Sequence, residues 1–196
     1  MQMSLHTAAF LAPCTLAVAA ASADVLVGPV VNPANGNTYY LLDQSTWTDA
    51  EAEAQTLGGH LATVNDSAEH QWIFSTFGDL ASTDGRNLWI GLNDADSEGT
   101  FVWSSGDAAS YRNWRPGEPN NNTGSGDGED YALIWSKKID ATGRWNDGPN
   151  GDGTITPVTG QFAGTPFGVV EVVPEPTTAG LLAVASLGLL ARRRRA

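Results

Sequence analysis

The apolar positions change rhythm along the 196-residue chain. Val25–Val31 is a Val-rich apolar run that ends at Asn32-Pro33, and Thr38–Leu42 is a second one. Asn35-Gly36-Asn37 stands between them, so the pair predicts a β-hairpin. Pro29 removes a backbone donor from the first run and predicts an edge position for it. Trp47, Ala50, Ala54 and Leu57 then recur at helical spacing. Thr46 or Thr48 opens that helix, Thr48-x-x-Glu51 offers a capping box, and Gly58-Gly59 stops it. Leu61–Val64 is short and extended. Asp66-Ser67-Ala68-Glu69 gives a second helix an acidic first turn, and Trp72, Ile73 and Phe77 give it an apolar face. After Gly85 the runs become short and strand-like: Asn87–Leu92, Thr100–Trp103, Tyr131–Trp135, a stretch around Arg144-Trp145, and Gly168–Val173. Polar Asn93–Gly99 separates the first two. Ala108–Asp130 is rich in Asn, Gly, Asp and Pro, and a loop that long inside a domain carries a function or is disordered. Asn150–Gly164 is Gly/Thr-rich and predicts a surface insertion. Two helices followed by a sheet with one long loop predict an α+β domain.

Both ends differ from this middle. Residues 1–23 contain the apolar run Ala8–Ala21 and finish on Ala21-Ser22-Ala23, the small-x-small pattern of a secretory signal peptide cleaved near Ala23. At the other end, Val173-Pro174-Glu175-Pro176 precedes apolar Thr178–Ala191 and the block Arg192–Arg195. That apolar stretch is shorter than the about 20 residues a bilayer span needs. The arginines would stay on the cytoplasmic side. Pro-Glu-Pro, a short hydrophobic helix and a terminal Arg cluster, in this order, resemble the PEP-CTERM sorting signal of bacteria. The resemblance implies processing by an exosortase-type membrane enzyme, with residues 174–196 held in the membrane as a transmembrane helix beforehand. It also implies residence at the cell envelope, cell surface or extracellular matrix.

Residues 24–173 are one domain by length and large enough for a real core. Four of the ten Lys and Arg and one of the 22 Asp and Glu lie outside this stretch, leaving six bases against 21 acids, a net charge of −15. Such a surface repels nucleic acid and attracts divalent cations. Cys14, the single cysteine, falls in the leader, so the domain has no disulfide.

The chemistry-bearing residues are oxygen donors. Glu118, Asn120, Glu129, Asn146 and Asp147 supply carboxylate and amide oxygens with no His or Cys among them. That set suits Ca²⁺ and does not suit zinc. Four short motifs stand in order: Gly58-Gly59-His60-Leu61-Ala62-Thr63-Val64, Trp89-Ile90-Gly91-Leu92, Glu118-Pro119-Asn120 and Trp145-Asn146-Asp147. Their spacing is similar to that of the C-type lectin-like domain, over nearly all of 25–173. The resemblance implies two helices, two small antiparallel sheets and a long calcium-carrying loop. It implies that Glu118, Asn120, Glu129, Asn146 and Asp147 hold the calcium and also bind a pair of sugar hydroxyls. Glu-Pro-Asn goes with mannose-type sugars in the family, and the bond before the proline is cis. Asp94, Glu98, Asn121 and Asp130 resemble a second calcium site. The family's cysteines are absent, with Tyr131 where one would follow Glu129-Asp130, and the Asn121–Gly128 loop is longer than in typical sugar binders.

The remaining residues invite plainer readings. Trp47, Trp72, Trp89 and Trp103 belong to the core. Trp114 could stack on a sugar, but its position favours a structural role. His60 reads as structural in a turn, and His70 as solvated on the second helix. No nucleophile stands in a recognisable motif, and the carboxylates a glycosidase would need are those of the calcium set, so an enzyme is not expected. The sequence thus predicts a calcium-dependent, carbohydrate- or exopolysaccharide-binding exported protein. The alternative is a structural or protein-binding matrix component in which calcium only orders the loop.

Overall fold

The computed structural model describes residues 24–82, 86–122, 128–151 and 165–174, without the side chains of 80–82. The expected leader, the apolar segment with its arginine block, and most of the Gly/Thr-rich insertion lie outside these residues. Among the described residues no helix is long and apolar enough to cross a membrane.

Strands β1 (Val25–Val31) and β2 (Thr38–Gln44) form the hairpin at Asn35-Gly36-Asn37. Asn35 Oδ1 accepts from Asn37 N at 3.0 Å, and Gly36 takes the positive φ, +79°, that the turn requires. β1 is the sheet edge that Pro29 predicted. Helix α1 (Trp47–Thr56) follows, then β3 (His60–Leu61) and helix α2 (Ser67–Ser82). Five short strands complete the order: β4 (Leu88–Asn93), β5 (Val102–Trp103), β6 (Tyr131–Ile134), β7 (Trp145–Gly148) and β8 (Phe167–Val172).

The strands run β1-β2-β8-β4-β6-β7, with β3 added to β8 and β5 to β4. The two small sheets anticipated from the family pattern are therefore joined into one. The joint is β4, which pairs β8 in parallel (Leu88↔Phe167) and β6 antiparallel (Leu88↔Ile134). Burial explains why β4 can do this. Its residues alternate between two apolar clusters, so it reads as a continuous apolar run. Leu88, Ile90 and Leu92 point to a cluster that contains Ile73, Phe74 and Phe77 of α2. Trp89 points to a second, with Trp47, Ala50 and Ala54 of α1. Gly168 of β8 sits against α1, where a Cβ would meet the Ala50 Cβ at 3.0 Å.

Two local expectations change. Thr46, not Thr48, caps α1, accepting from Asp49 N at 3.0 Å. Glu51 is consequently free of any capping box and turns inward, 7% exposed. Its carboxylate bonds His60 Nδ1 at 2.6 Å and accepts from Leu61 N and Ser104 Oγ, each at 2.9 Å. α1, β3 and the segment after β5 are tied together by that one side chain. His60 is structural, as read. His70 is not solvated: it is 1% exposed, stacked on Phe74, and its Nδ1 accepts from Trp145 Nε1 at 3.3 Å. Burial holds its imidazole below the ordinary histidine range. Trp72 is half-buried and packs on the core from its margin, 4.8 Å from the Tyr39 ring.

Candidate functional site

The site grows from β7. Its pairing with β6 sets Ala132 opposite Asp147 and Leu133 opposite Asn146. Trp145, fully buried, is packed edge-on by Trp103, Tyr111 and Trp114. The long loop docks on this platform. Trp145 N donates to Asn113 O at 2.8 Å, and Arg115 N donates to Trp145 O at 2.9 Å. Trp114 is thus committed to packing, with Phe101 on its other side.

Arg115-Pro116-Gly117-Glu118 then makes a tight turn, closed by Glu118 N donating to Arg115 O at 2.9 Å. Proline at its second position and a glycine at φ +100° at its third are what such a turn demands. The Glu118–Pro119 bond is cis, as the family pattern implied. The chain is next pinned by Asp147. Its carboxylate accepts from Asn120 N at 2.9 Å and from Asn121 N at 2.8 Å. Glu129 holds the other side, accepting from Asn122 N at 3.1 Å, while Glu129 N donates to Asn121 Oδ1 at 2.9 Å.

Four of the five oxygen donors, Glu118, Asn120, Glu129 and Asn146, line one polar cavity of about 140 Å³. Asp147 borders them and is fully buried. Asn120 Nδ2 donates to Glu118, and Asn146 Nδ2 donates to the Asp147 carbonyl. Burial, and then the Asp147 charge, push the Glu118 carboxyl above the usual carboxylate range. Burial likewise pushes Glu129 up to about 7, with Asp147 and Glu118 adding to it. Carboxylates that oppose one another in this way are a source of attraction for a cation.

Among the described residues no three His, Cys, Asp or Glu side chains converge closely enough to hold a metal by themselves. A cation here would need the amide and carbonyl oxygens too. The donor set fits that need, being all oxygen and of mixed charge, and calcium accepts six to eight such ligands. Of the second set, Asp94 is 2% exposed and its Oδ1 is buried with no hydrogen-bond partner. Its Oδ2 accepts from Gly99 N at 2.7 Å. Burial raises its pKa, and Glu98, Asp130 and Asp147 add to the rise. The Asn121 side-chain oxygen accepts from Glu129 N at 2.9 Å, which leaves its second lone pair for a cation.

Sequence reasoning missed Arg115, Asn122 and Trp135 as cavity-lining residues. For Arg115 the signal was available: it is a rare base in an acidic domain, three residues before Glu118.

Two helices on a mixed sheet, with a long polar loop pinned over β7, define the C-type lectin class of fold. The chain belongs to the C-type lectin domain family, whose model matches residues 43–152. The PEP-CTERM protein-sorting motif matches residues 172–195. Among curated relatives, the C-type lectin mannose-binding isoform of Oxyuranus scutellatus is 35% identical over 120 residues, covering 60% of this chain and 72% of that protein. The low affinity immunoglobulin epsilon Fc receptor of Mus musculus is 33% identical over 109 residues, 56% of this chain. The match spans only 29% of that receptor's length. Among solved structures, the mouse scavenger receptor C-type lectin carbohydrate-recognition domain superposes with a TM-score of 0.53 at 28% identity. That alignment covers 71% of this chain and 92% of the domain.

Proposed function

We propose that this protein is an exported bacterial lectin that binds mannose-type sugars through calcium, and not an enzyme. The supporting observation is the shared cavity of Glu118, Asn120, Glu129 and Asn146, with Asp147 beside it. The names of relatives, a mannose-binding isoform and a carbohydrate-recognition domain, agree with it. The match over residues 172–195 supports export, exosortase-type processing and delivery to the envelope, surface or matrix. In this reading residues 1–23 are the leader, 24–173 the binding domain and 174–196 the sorting segment.

Glu118, Asn120, Glu129, Asn146 and Asp147 would hold the calcium, which when bound supplies a Lewis-acidic point on which two sugar hydroxyls complete the coordination. The side chains act on the same hydroxyls. Asn120 and Asn146 amides donate, while Glu118 and Glu129 carboxylates accept, so each hydroxyl gives and receives a hydrogen bond. Two vicinal hydroxyls of the right stereochemistry satisfy all four groups, and a displaced hydroxyl leaves one unmet. Asp94, Glu98, Asp130 and Asn121 form the accessory calcium site of this reading, supported by the orphaned Asp94 Oδ1.

The direct test exchanges the recognition pair. Glu118→Gln with Asn120→Asp should shift preference on a sugar array from mannose-type to galactose-type. An unchanged preference would count against the shared-ligand mechanism. The hydrogen bonds from loop amides to Asp147 and Glu129 favour a second reading, in which the cation only orders the loop of a matrix component. That protein would bind calcium with no saccharide response.

A further inference from the structure

Of the six basic side chains in residues 24–173, four are engaged away from the cavity. Arg144 pairs with Asp140 at 2.7 Å, and Lys137 pairs with Asp79 at 2.7 Å. Arg112 donates to the Ala109 and Tyr111 carbonyls and lies over the Trp103 ring. Arg86 lies over the Phe167 ring. Lys138 is exposed in the turn after β6. Arg115 alone lines the oxygen-rich cavity. It is half-buried, and among the described residues its guanidinium has no hydrogen-bond or ion-pair partner. Its charge still reaches Glu118, whose pKa it lowers against the stronger upward causes.

The position is built by the backbone. Arg115 N is fixed to Trp145 O at 2.9 Å, and Arg115 O accepts from Glu118 N at 2.9 Å. The Pro116-Gly117 turn therefore folds the arginine back beside the first residue of the recognition pair. An arginine drawn to a carboxylate-rich region ordinarily closes a salt bridge. This one is left with its planar fork of donors free at the rim of a site for hydroxyl pairs. A planar fork matches a carboxylate in bidentate fashion.

We propose that Arg115 makes this site select acidic sugars, in which a uronate carboxylate lies beside the hydroxyl pair. The inference rests on the lectin reading above and names its substrate class. The hydroxyls engage Glu118, Asn120, Glu129 and Asn146, while the carboxylate takes the guanidinium. The domain's net negative charge repels an acidic polysaccharide overall, and Arg115 is the base at the cavity that offsets this for a carboxylate placed there.

The test compares methyl α-mannopyranoside with methyl α-mannopyranosiduronate, which differ only in CH2OH or carboxylate at C6. Each is titrated in calcium into the purified chain and into Arg115→Gln and Arg115→Lys. The parent should prefer the uronate by about three- to tenfold, the range of one partly exposed charge-assisted pair. Raising salt from about 50 to about 500 mM should shrink that preference. Arg115→Gln should bring the ratio to about one, with Arg115→Lys keeping part of it. Binding of the neutral sugar without a uronate preference would overturn the inference and leave the lectin reading standing. So would a preference that survives in Arg115→Gln, since calcium alone would then explain it. Failure of both sugars to bind would overturn both.

Discussion

Asp147→Ala tests the claim that one carboxylate both holds the long loop and completes the oxygen set. In the parent, that carboxylate accepts from two backbone amides, Asn120 N at 2.9 Å and Asn121 N at 2.8 Å. A hydrogen bond to a charged group contributes about 1.5–3 kcal/mol, so two give about 3–6 kcal/mol before offsets. Two effects reduce that. The amides are only partly buried, so water replaces some of the loss. Removing Asp147 also relieves its repulsion of Glu118 and Glu129. A net cost of about 2–3 kcal/mol remains, which for a domain of this size lowers Tm by about 4–12 °C. Thermal unfolding should be followed in chelator, so that metal binding does not enter. Asp147→Asn keeps one acceptor oxygen and should lose about half as much. Calcium titration of the alanine variant should show affinity down by about 100-fold or more, because one of three charged ligands is gone. An alanine variant melting within about 1 °C of the parent in chelator would refute the loop-holding role.

Calcium affinity should fall with acidity, because Glu129, at about 7 in the metal-free site, must lose its proton to act as a ligand. Below about 7 the loss approaches tenfold per pH unit, and titrations in buffers of different ionisation heat should show close to one proton released at pH 6. His70 makes stability, too, fall with acidity. Its folded-state pKa is depressed by burial, so the unfolded chain takes up a proton that the fold resists, and stability is lost as pH falls below about 6.5. His70→Gln should flatten that limb, so that the gap between parent and variant narrows from pH 7.5 to pH 5 in denaturant melts. Gly91→Ala should destabilise strongly, by about 3 kcal/mol or more. Its Cβ would stand 2.4 Å from the Leu61 carbonyl oxygen, which is backbone and has little room to move. Glu51→Ala should cost about 2–4 kcal/mol, because the buried Leu61 N loses its acceptor. Circular dichroism melts of these two variants would check both figures.

What was legible in the chain followed from periodicity and spacing. The β1–β2 hairpin, both helices and the edge position of Pro29 come from local pattern, and the structure keeps them. The oxygen donors could be named because Glu118-Pro119-Asn120 and Trp145-Asn146-Asp147 are contiguous motifs, and four of them meet in one cavity. Long-range partners were not legible. Glu51 fits a capping box as well as it fits a buried anchor. Only the approach of His60, Leu61 and Ser104 decides between them. His70 lies on a helix of mixed polarity, and only the fold brings the Trp145 indole to its ring. The joining of two sheets through β4 depends on a parallel pairing with β8, about 80 residues away, for which no turn signal exists. Asn121 fits a ligand of the second calcium by residue type; its positive φ, +43°, and the bond its side-chain oxygen accepts from Glu129 N are features a ligand pattern does not reveal.

Calcium-dependent sugar binding is measured by calorimetric titration of the purified chain with calcium, then with methyl α-mannopyranoside, in the presence and absence of chelator. Calcium should bind, and the sugar should bind only when calcium is present. A chain that binds no calcium, or a sugar response that persists in chelator, would contradict it.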